Sequence, residues 1–177
     1  RMARSAPDLW PMLEAIYGDH PGYDAFCTDL KDALAAAWKD RPADLKLLDL
    51  QRDLEPDWFQ RANMAGYVFY IDRFAGNLNG VLEKLDYLQE LGITYVHFMP
   101  CLQPRPGDSD GGYSVMDYRN INPAYGTLDD FKAVSTQLRQ RGISLCIDLV
   151  LNHTAKEHDW AKRAAQGDKA AQDMYLM

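Results

Sequence analysis

The sequence predicts an α/β fold in which a helical segment comes first and parallel strands alternating with helices follow. Three observations carry that expectation. Apolar residues recur at intervals of three and four through the first 60 residues. Three short runs rich in β-branched and aromatic residues follow, at 67–70, 94–99 and 143–151. Between successive runs lies an amphipathic stretch long enough for a crossover that returns the chain parallel.

In the helical segment, Leu9, Met12, Leu13 and Ile16 mark a first helix that Gly18 and Pro21 end. Tyr23, Phe26, Leu30, Leu34 and Trp38 line one face of a second, which Pro42 closes. Asp44 is expected to cap a third helix carrying Leu45, Leu48 and Leu50. These stripes are expected to form a core.

The period changes at Gly66. The run 67–70 (YVFY) reads as a buried strand, and Leu78, Val81, Leu82, Leu85, Leu88 and Leu91 as one helix, with Gly92 where a C-terminal glycine belongs. Pro100 stops the strand 94–99, and a loop of about 25 residues follows. Leu128, Phe131, Val134 and Leu138 form the next helix, with Thr127 as its N-cap and Gly142 as its stop. The last strand, 143–151, places Asp148, Val150 and Asn152 on one face by its period of two. Because the strands lack polar alternation, burial on both faces is expected. A doubly wound sheet and the start of a (β/α) barrel both fit. No GxGxxG follows the first strand and no GxxxxGK[ST] occurs, so dinucleotide-binding and P-loop readings lose their support.

Composition narrows the function classes. Of 177 residues, 47% are hydrophobic and 25% charged, a globular balance. Lys and Arg total 19 against 26 Asp and Glu, a net charge of −7, which argues against a nucleic-acid binder. No apolar run approaches the roughly 20 residues of a membrane span. The opening RMARSAPDLW is too short and polar for a secretory signal, which leaves the compartment undetermined. Cys27, Cys101 and Cys146 form no CxxC pair, so neither a disulfide framework nor a zinc finger is indicated; all three are expected to be buried.

In either architecture ligands bind beyond the carboxyl ends of the strands. After the first strand comes Asp72-Arg73, a pair suited to orienting a loop. After the second comes 107–113 (GDSDGGY). Its carboxylates can accept hydrogen bonds from sugar hydroxyls, and its Tyr113 ring can stack on the apolar face of a pyranose. The Asp-Ser-Asp-Gly string lacks the later ligands of a calcium loop. The third strand ends in Asp148, Asn152 and His153. His153 and His158 are five apart rather than the four of a helical zinc pair, and no metal or cofactor is expected.

The string 148–153 (DLVLNH) resembles the first signature region of the α-amylase superfamily, glycoside hydrolase family 13. The blocks 91–100, 111–113, 118–119, 122–123 and 126–127 follow that family's order, from about Asp57 onward. Within the superfamily, 72–76 (DRFAG), 109–113 (SDGGY) and the helical preface resemble amylosucrase and the sucrose hydrolases.

The resemblance implies a helical domain at 1–60. It places the first three βα units of a (β/α)8 barrel, with the start of the loop after strand 3, at 61–177. It implies retaining cleavage of sucrose, release of fructose and transfer of glucose to an α-1,4-glucan. A sucrose hydrolase, a trehalose synthase or an oligo-α-glucosidase are the alternatives, and a non-catalytic carbohydrate-binding domain is a further one. It implies that Asp110 holds the glucosyl ring, Tyr113 stacks beneath it and His153 binds the 6-hydroxyl. Asp148 and Asn152 support the site. The family's nucleophile and general acid, two carboxyls about 5 Å apart, belong to later strands, so no residue here is assigned to either role. A barrel of about 250 residues is longer than this chain, hence the expectation of a piece of a larger enzyme.

Overall fold

The computed structural model describes residues 2–175. The chain divides into two compact units, one ending at Trp58 and the other beginning at Phe59.

The first unit holds three helices, α1 (Met2–Tyr17), α2 (Tyr23–Asp40) and α3 (Ala43–Leu54). The apolar spacing locates all three, yet the expected core does not form among the described residues. No residue of α2 or α3 is buried, and Met12 and Ile16 are 66% and 70% exposed. Three helices of this size enclose too little volume to take every stripe out of water. Polar side chains tie them instead. Arg41, which ends α2, grips Asp49 of α3 with two bonds of 2.6 and 2.8 Å, and Arg4 of α1 meets Asp53 of α3 at 2.9 Å. Asp44 is not the cap of α3. Pro42, already extended at ψ 149°, occupies that position, and Asp44 falls in the first turn, where its charge still favours the helix start.

In the second unit β1 (Gly66–Phe69), β2 (Tyr95–Phe98) and β5 (Ser144–Ile147) pair in parallel, in the order β1-β2-β5. The register sets Val68 beside His97 and His97 beside Cys146. After β1 come α4 (Ile71–Ala75), α5 (Leu78–Glu83) and α6 (Leu85–Glu90), and before β5 comes α7 (Leu128–Gln140). Leu78, Val81, Leu85, Leu88, Val134 and Leu138 meet Val96 and Phe98 in the core, each at most 1% exposed. The expected single helix at 78–91 is two, because Lys84 adopts φ −99° and ψ 1°.

Caps follow the sequence closely elsewhere. Thr127 and Asp130 form a reciprocal capping box at the start of α7. Gly92 and Gly142, at φ 76° and 73°, follow the ends of α6 and α7.

Three strand expectations are corrected. Among the described residues one sheet face is covered, by α5 and α7, which pack together; on the other, Val68 is 58% exposed and His97 and Cys146 are half-buried. Cys146 is therefore half-buried rather than buried; Cys27, on α2 of the first unit, is half-buried as well, while Cys101 is buried as expected.

The last strand ends at Ile147, not at 151. Its partner β2 stops at Phe98, just before Pro100, which has no N–H for a ladder. Asp148, Val150 and Asn152 therefore lie beyond the sheet, and period two does not govern them. The loop after Pro100 also contains an antiparallel hairpin, β3 (Leu102–Pro104) with β4 (Val115–Ile121). Two register shifts break its alternation, which hid it from a reading by period. Its anchors Leu102, Val115 and Ile121 are buried in the same core. Two short helices close the described chain, α8 (Asp159–Ala165) and α9 (Lys169–Gln172).

Candidate functional site

Beyond the carboxyl ends of β2 and β5, side chains from four segments meet around Tyr113. The turn that delivers it is left-handed three times in succession. Asp110 has φ 52°, and Gly111 and Gly112 have φ 65° and 94°. Asp is among the few residues with side chains that tolerate this region, and Asp110 is the only non-glycine in it among the described residues. The glycines also yield space. A Cβ on Gly112 would lie 3.0 Å from the Pro100 Cβ and 3.2 Å from its carbonyl oxygen. The Asp110 carbonyl accepts the Tyr113 N–H at 3.2 Å, so the exposed carboxylate and the ring belong to one turn.

Tyr113 is held at both ends. Its hydroxyl donates to Asp148 Oδ2 at 3.3 Å, and its carbonyl accepts from His153 Nε2 at 3.2 Å. Because a carbonyl only accepts, His153 Nε2 carries the proton. Its Nδ1 lies 3.3 Å from the Asn152 amide nitrogen. The second oxygen of Asp148 accepts from His97 Nε2 at 3.0 Å. Burial, and then the negative charge of Asp148, raise the Tyr113 phenol above its ordinary pKa. The same causes push the neighbouring Cys101 thiol up to about 12.

The hairpin clamps the segment that carries His153. The Tyr118 hydroxyl donates to the Val150 carbonyl at 2.5 Å, with the His153 carbonyl 3.1 Å away. Ala155 N–H donates to the Val115 carbonyl at 2.8 Å, and Arg105 pairs with Glu157 at 3.2 Å. A buried His158 caps α8 by accepting the Trp160 N–H at Nδ1, which uses one of its ring nitrogens. Beside the glycine turn lies an open cleft of about 500 Å³ lined by Tyr70, Asp72, Arg73, Asn122 and Tyr125. Asp72 there accepts from the Tyr125 hydroxyl at 3.5 Å.

Four of the five expected residues, Tyr113, Asp148, Asn152 and His153, thus share one hydrogen-bonded chain, and Asp110 joins it through the backbone. His97 was not anticipated; its only signal was a polar residue inside the apolar run 94–99. Among the described residues no group of three His, Cys, Asp or Glu side chains could hold a metal, and no helix is long and apolar enough to cross a membrane.

Comparison with known proteins gives this arrangement a setting. Residues 54–177 match the family model "Alpha amylase, catalytic domain". The chain belongs to the α-amylase family. A trehalose-6-phosphate hydrolase of Escherichia coli is 36% identical over 129 residues, covering 68% of this chain and 22% of that protein. An oligo-1,6-glucosidase of Parageobacillus thermoglucosidasius is 40% identical over 102 residues, 57% of this chain and 18% of that protein. Among solved structures, the trehalose-6-phosphate hydrolase of Bacillus licheniformis superposes with a TM-score of 0.61 at 34% identity, covering 67% of this chain and 22% of that one.

This α-amylase-family chain spans about a fifth of the length of these relatives. Its parallel strands and intervening helices are the opening βα units of the family's barrel. These relatives carry the resemblance to the superfamily and do not single out amylosucrase within it.

Proposed function

We propose that this chain supplies the glucosyl-holding part of a retaining enzyme acting on an α-glucosidic disaccharide. The observation that carries this reading is the two-ended grip on Tyr113, hydroxyl to Asp148 and carbonyl to His153. A ring locked in this way is a rigid platform for the apolar face of a pyranose, and a rigid platform loses little entropy on binding. Asp110, exposed on the same turn, accepts hydroxyl hydrogens at the closed end of the pocket. His153 takes up the 6-hydroxyl at Nδ1 in place of its Asn152 contact, and Asp148 and Asn152 order the platform. Residues 1–60 form a helical domain and 61–177 the first part of the barrel. The nucleophile and general acid are assigned to no residue of this chain.

For the substrate we propose sucrose, with glucose passed to an α-glucan or to water. A family member, the trehalulose synthase MutB, has been solved as a mutant in complex with the substrate sucrose; that structure is 32% identical to this chain with a TM-score of 0.60. The second reading is an oligo-α-glucosidase or trehalose-6-phosphate hydrolase, favoured by the names of the sequence relatives.

Sucrose, maltose and trehalose 6-phosphate, offered separately to the protein carrying this chain, separate the two. Fructose release from sucrose is the expected result. An iodine-staining glucan then marks transfer, and equal free glucose and fructose mark hydrolysis. Turnover of maltose or trehalose 6-phosphate without turnover of sucrose installs the second reading. No turnover of any of the three overturns both.

A further inference from the structure

His97 stands in the middle of β2 between Val96 and Phe98, both fully buried. An imidazole there must find partners for its ring nitrogens or bear the cost of leaving water. We propose that His97 is a positioning residue for the sugar platform: it holds the Asp148 carboxylate in the orientation in which that carboxylate grips the Tyr113 hydroxyl. This inference deepens the reading above and rests on it for the identity of the ligand, a glucosyl ring.

Register explains how the contact arises. His97 pairs with Cys146, on the sheet face turned away from α5 and α7. Asp148 lies two residues beyond Cys146, past the last ladder pair, and its carboxylate meets the His97 ring from there. The last ladder pair is Phe98 with Ile147, so the sheet's backbone bonds do not reach Asp148. Its side chain is 24% exposed and is held by bonds from two partners. One is His97 Nε2 at 3.0 Å and the other is the Tyr113 hydroxyl at 3.3 Å.

A carboxylate only accepts, so His97 Nε2 carries the hydrogen and the contact is a charge-assisted bond, the shorter and stronger of the two. Remove it and the carboxylate is free to turn toward water, taking the acceptor of the Tyr113 hydroxyl with it. Tyr113 follows a turn of two left-handed glycines, so its ring is then placed only through backbone bonds, those to His153, the Asp110 carbonyl and the Val115 N–H. His97 acts through Asp148 and needs no contact with sugar.

Two variants separate the donor from the ring volume. His97→Gln keeps an N–H, whereas His97→Phe keeps a planar ring without one. With tyrosine labelled at ¹³Cζ, and the Tyr113 signal identified by its loss in Tyr113→Phe, the Phe variant is expected to shift that signal toward its value in Asp148→Asn. Titration with glucose and sucrose is expected to show affinity about tenfold lower in the Phe variant and within about threefold of the parent in the Gln variant.

The proposal is overturned if the Phe variant leaves the Tyr113 signal in place, or if the Gln variant is as damaged as the Phe variant. Should the Phe variant fail to fold, ¹⁵N spectra of the unmodified protein decide. A His97 ring protonated at Nε2 and bare at Nδ1 supports the proposal, and the opposite tautomer overturns it. If the parent binds neither sugar, the glucosyl reading fails, and the Tyr113 signal still judges the role of His97.

Discussion

Arg105 and Glu157 meet at 3.2 Å, yet Arg105 Nε and Glu157 Oε2 are buried without a hydrogen-bond partner among the described residues. The pair joins the residue after β3 to the segment leading into α8, so it fastens the hairpin that carries Tyr113 to the stretch that carries His153. A half-satisfied ion pair is poor stabilisation, but breaking one side of it is worse. Glu157→Leu is expected to lower stability by about 1–3 kcal/mol, because it strands the guanidinium; partial exposure of both side chains keeps the loss below that of a fully buried pair. Arg105→Met added to Glu157→Leu is expected to recover most of it. Urea unfolding with an unchanged m-value would measure both.

Tyr118 governs the same junction by a different bond. Tyr118→Phe removes the hydroxyl that donates to the Val150 carbonyl and leaves the ring against His158. The expected cost is about 1 kcal/mol of stability. Faster hydrogen exchange confined to 148–155 would show that the clamp acts locally; unchanged exchange there would refute the clamp.

Gly112→Ala tests the turn that delivers Tyr113. The new Cβ would press on the Pro100 backbone carbonyl at 3.2 Å, and the residue would sit at φ 94°. Backbone cannot step aside as a flexible side chain can, so a loss of about 1–3 kcal/mol is expected. Sugar affinity should fall further than in any single hydrogen-bond variant, since the whole platform shifts.

Asp110→Asn and His153→Ala probe the two sugar contacts proposed above. Each is expected to reduce turnover of the preferred disaccharide by about 100-fold or more, with little change in melting temperature, since both side chains are exposed. Wild-type rates in either variant would remove that residue from the site.

The acid side of the stability profile is set partly by Asp130 and Asp168. The Thr127 hydroxyl and N–H hold the Asp130 carboxyl below its usual range, and bonds from Arg163 and the Ala171 N–H do the same for Asp168. A carboxyl whose pKa is lowered in the folded state adds stability above its unfolded pKa, near 4. That stability is lost as pH falls through the folded value. Thr127→Ala should therefore lower the melting temperature at pH 6 more than at pH 2.5. Equal losses at the two pH values would show that the capping box carries no linked charge.

Much of this protein was already present in its one-dimensional pattern. The spacing of Leu78, Val81, Leu85 and Leu88 located a helical face, the run 94–99 located a strand, and Thr127 marked a helix start. These are local events, decided by periods of 3.6 and 2 and by the backbone groups a short side chain can reach. The string 148–153 and the turn 109–113 likewise carried the resemblance to the α-amylase superfamily.

What the pattern could not contain was the pairing of distant segments. The end of the last strand depended on where its partner β2 stopped. The exposure of Met12 and Ile16 depended on how little three helices can enclose. The link from His97 to Asp148 spans 51 positions, and it exists because parallel register sets His97 beside Cys146. Sequence by itself determined the helices, the strands and the family resemblance; only tertiary structure decided which candidate side chains touch, because register and packing, unlike propensity, are properties of two segments at once.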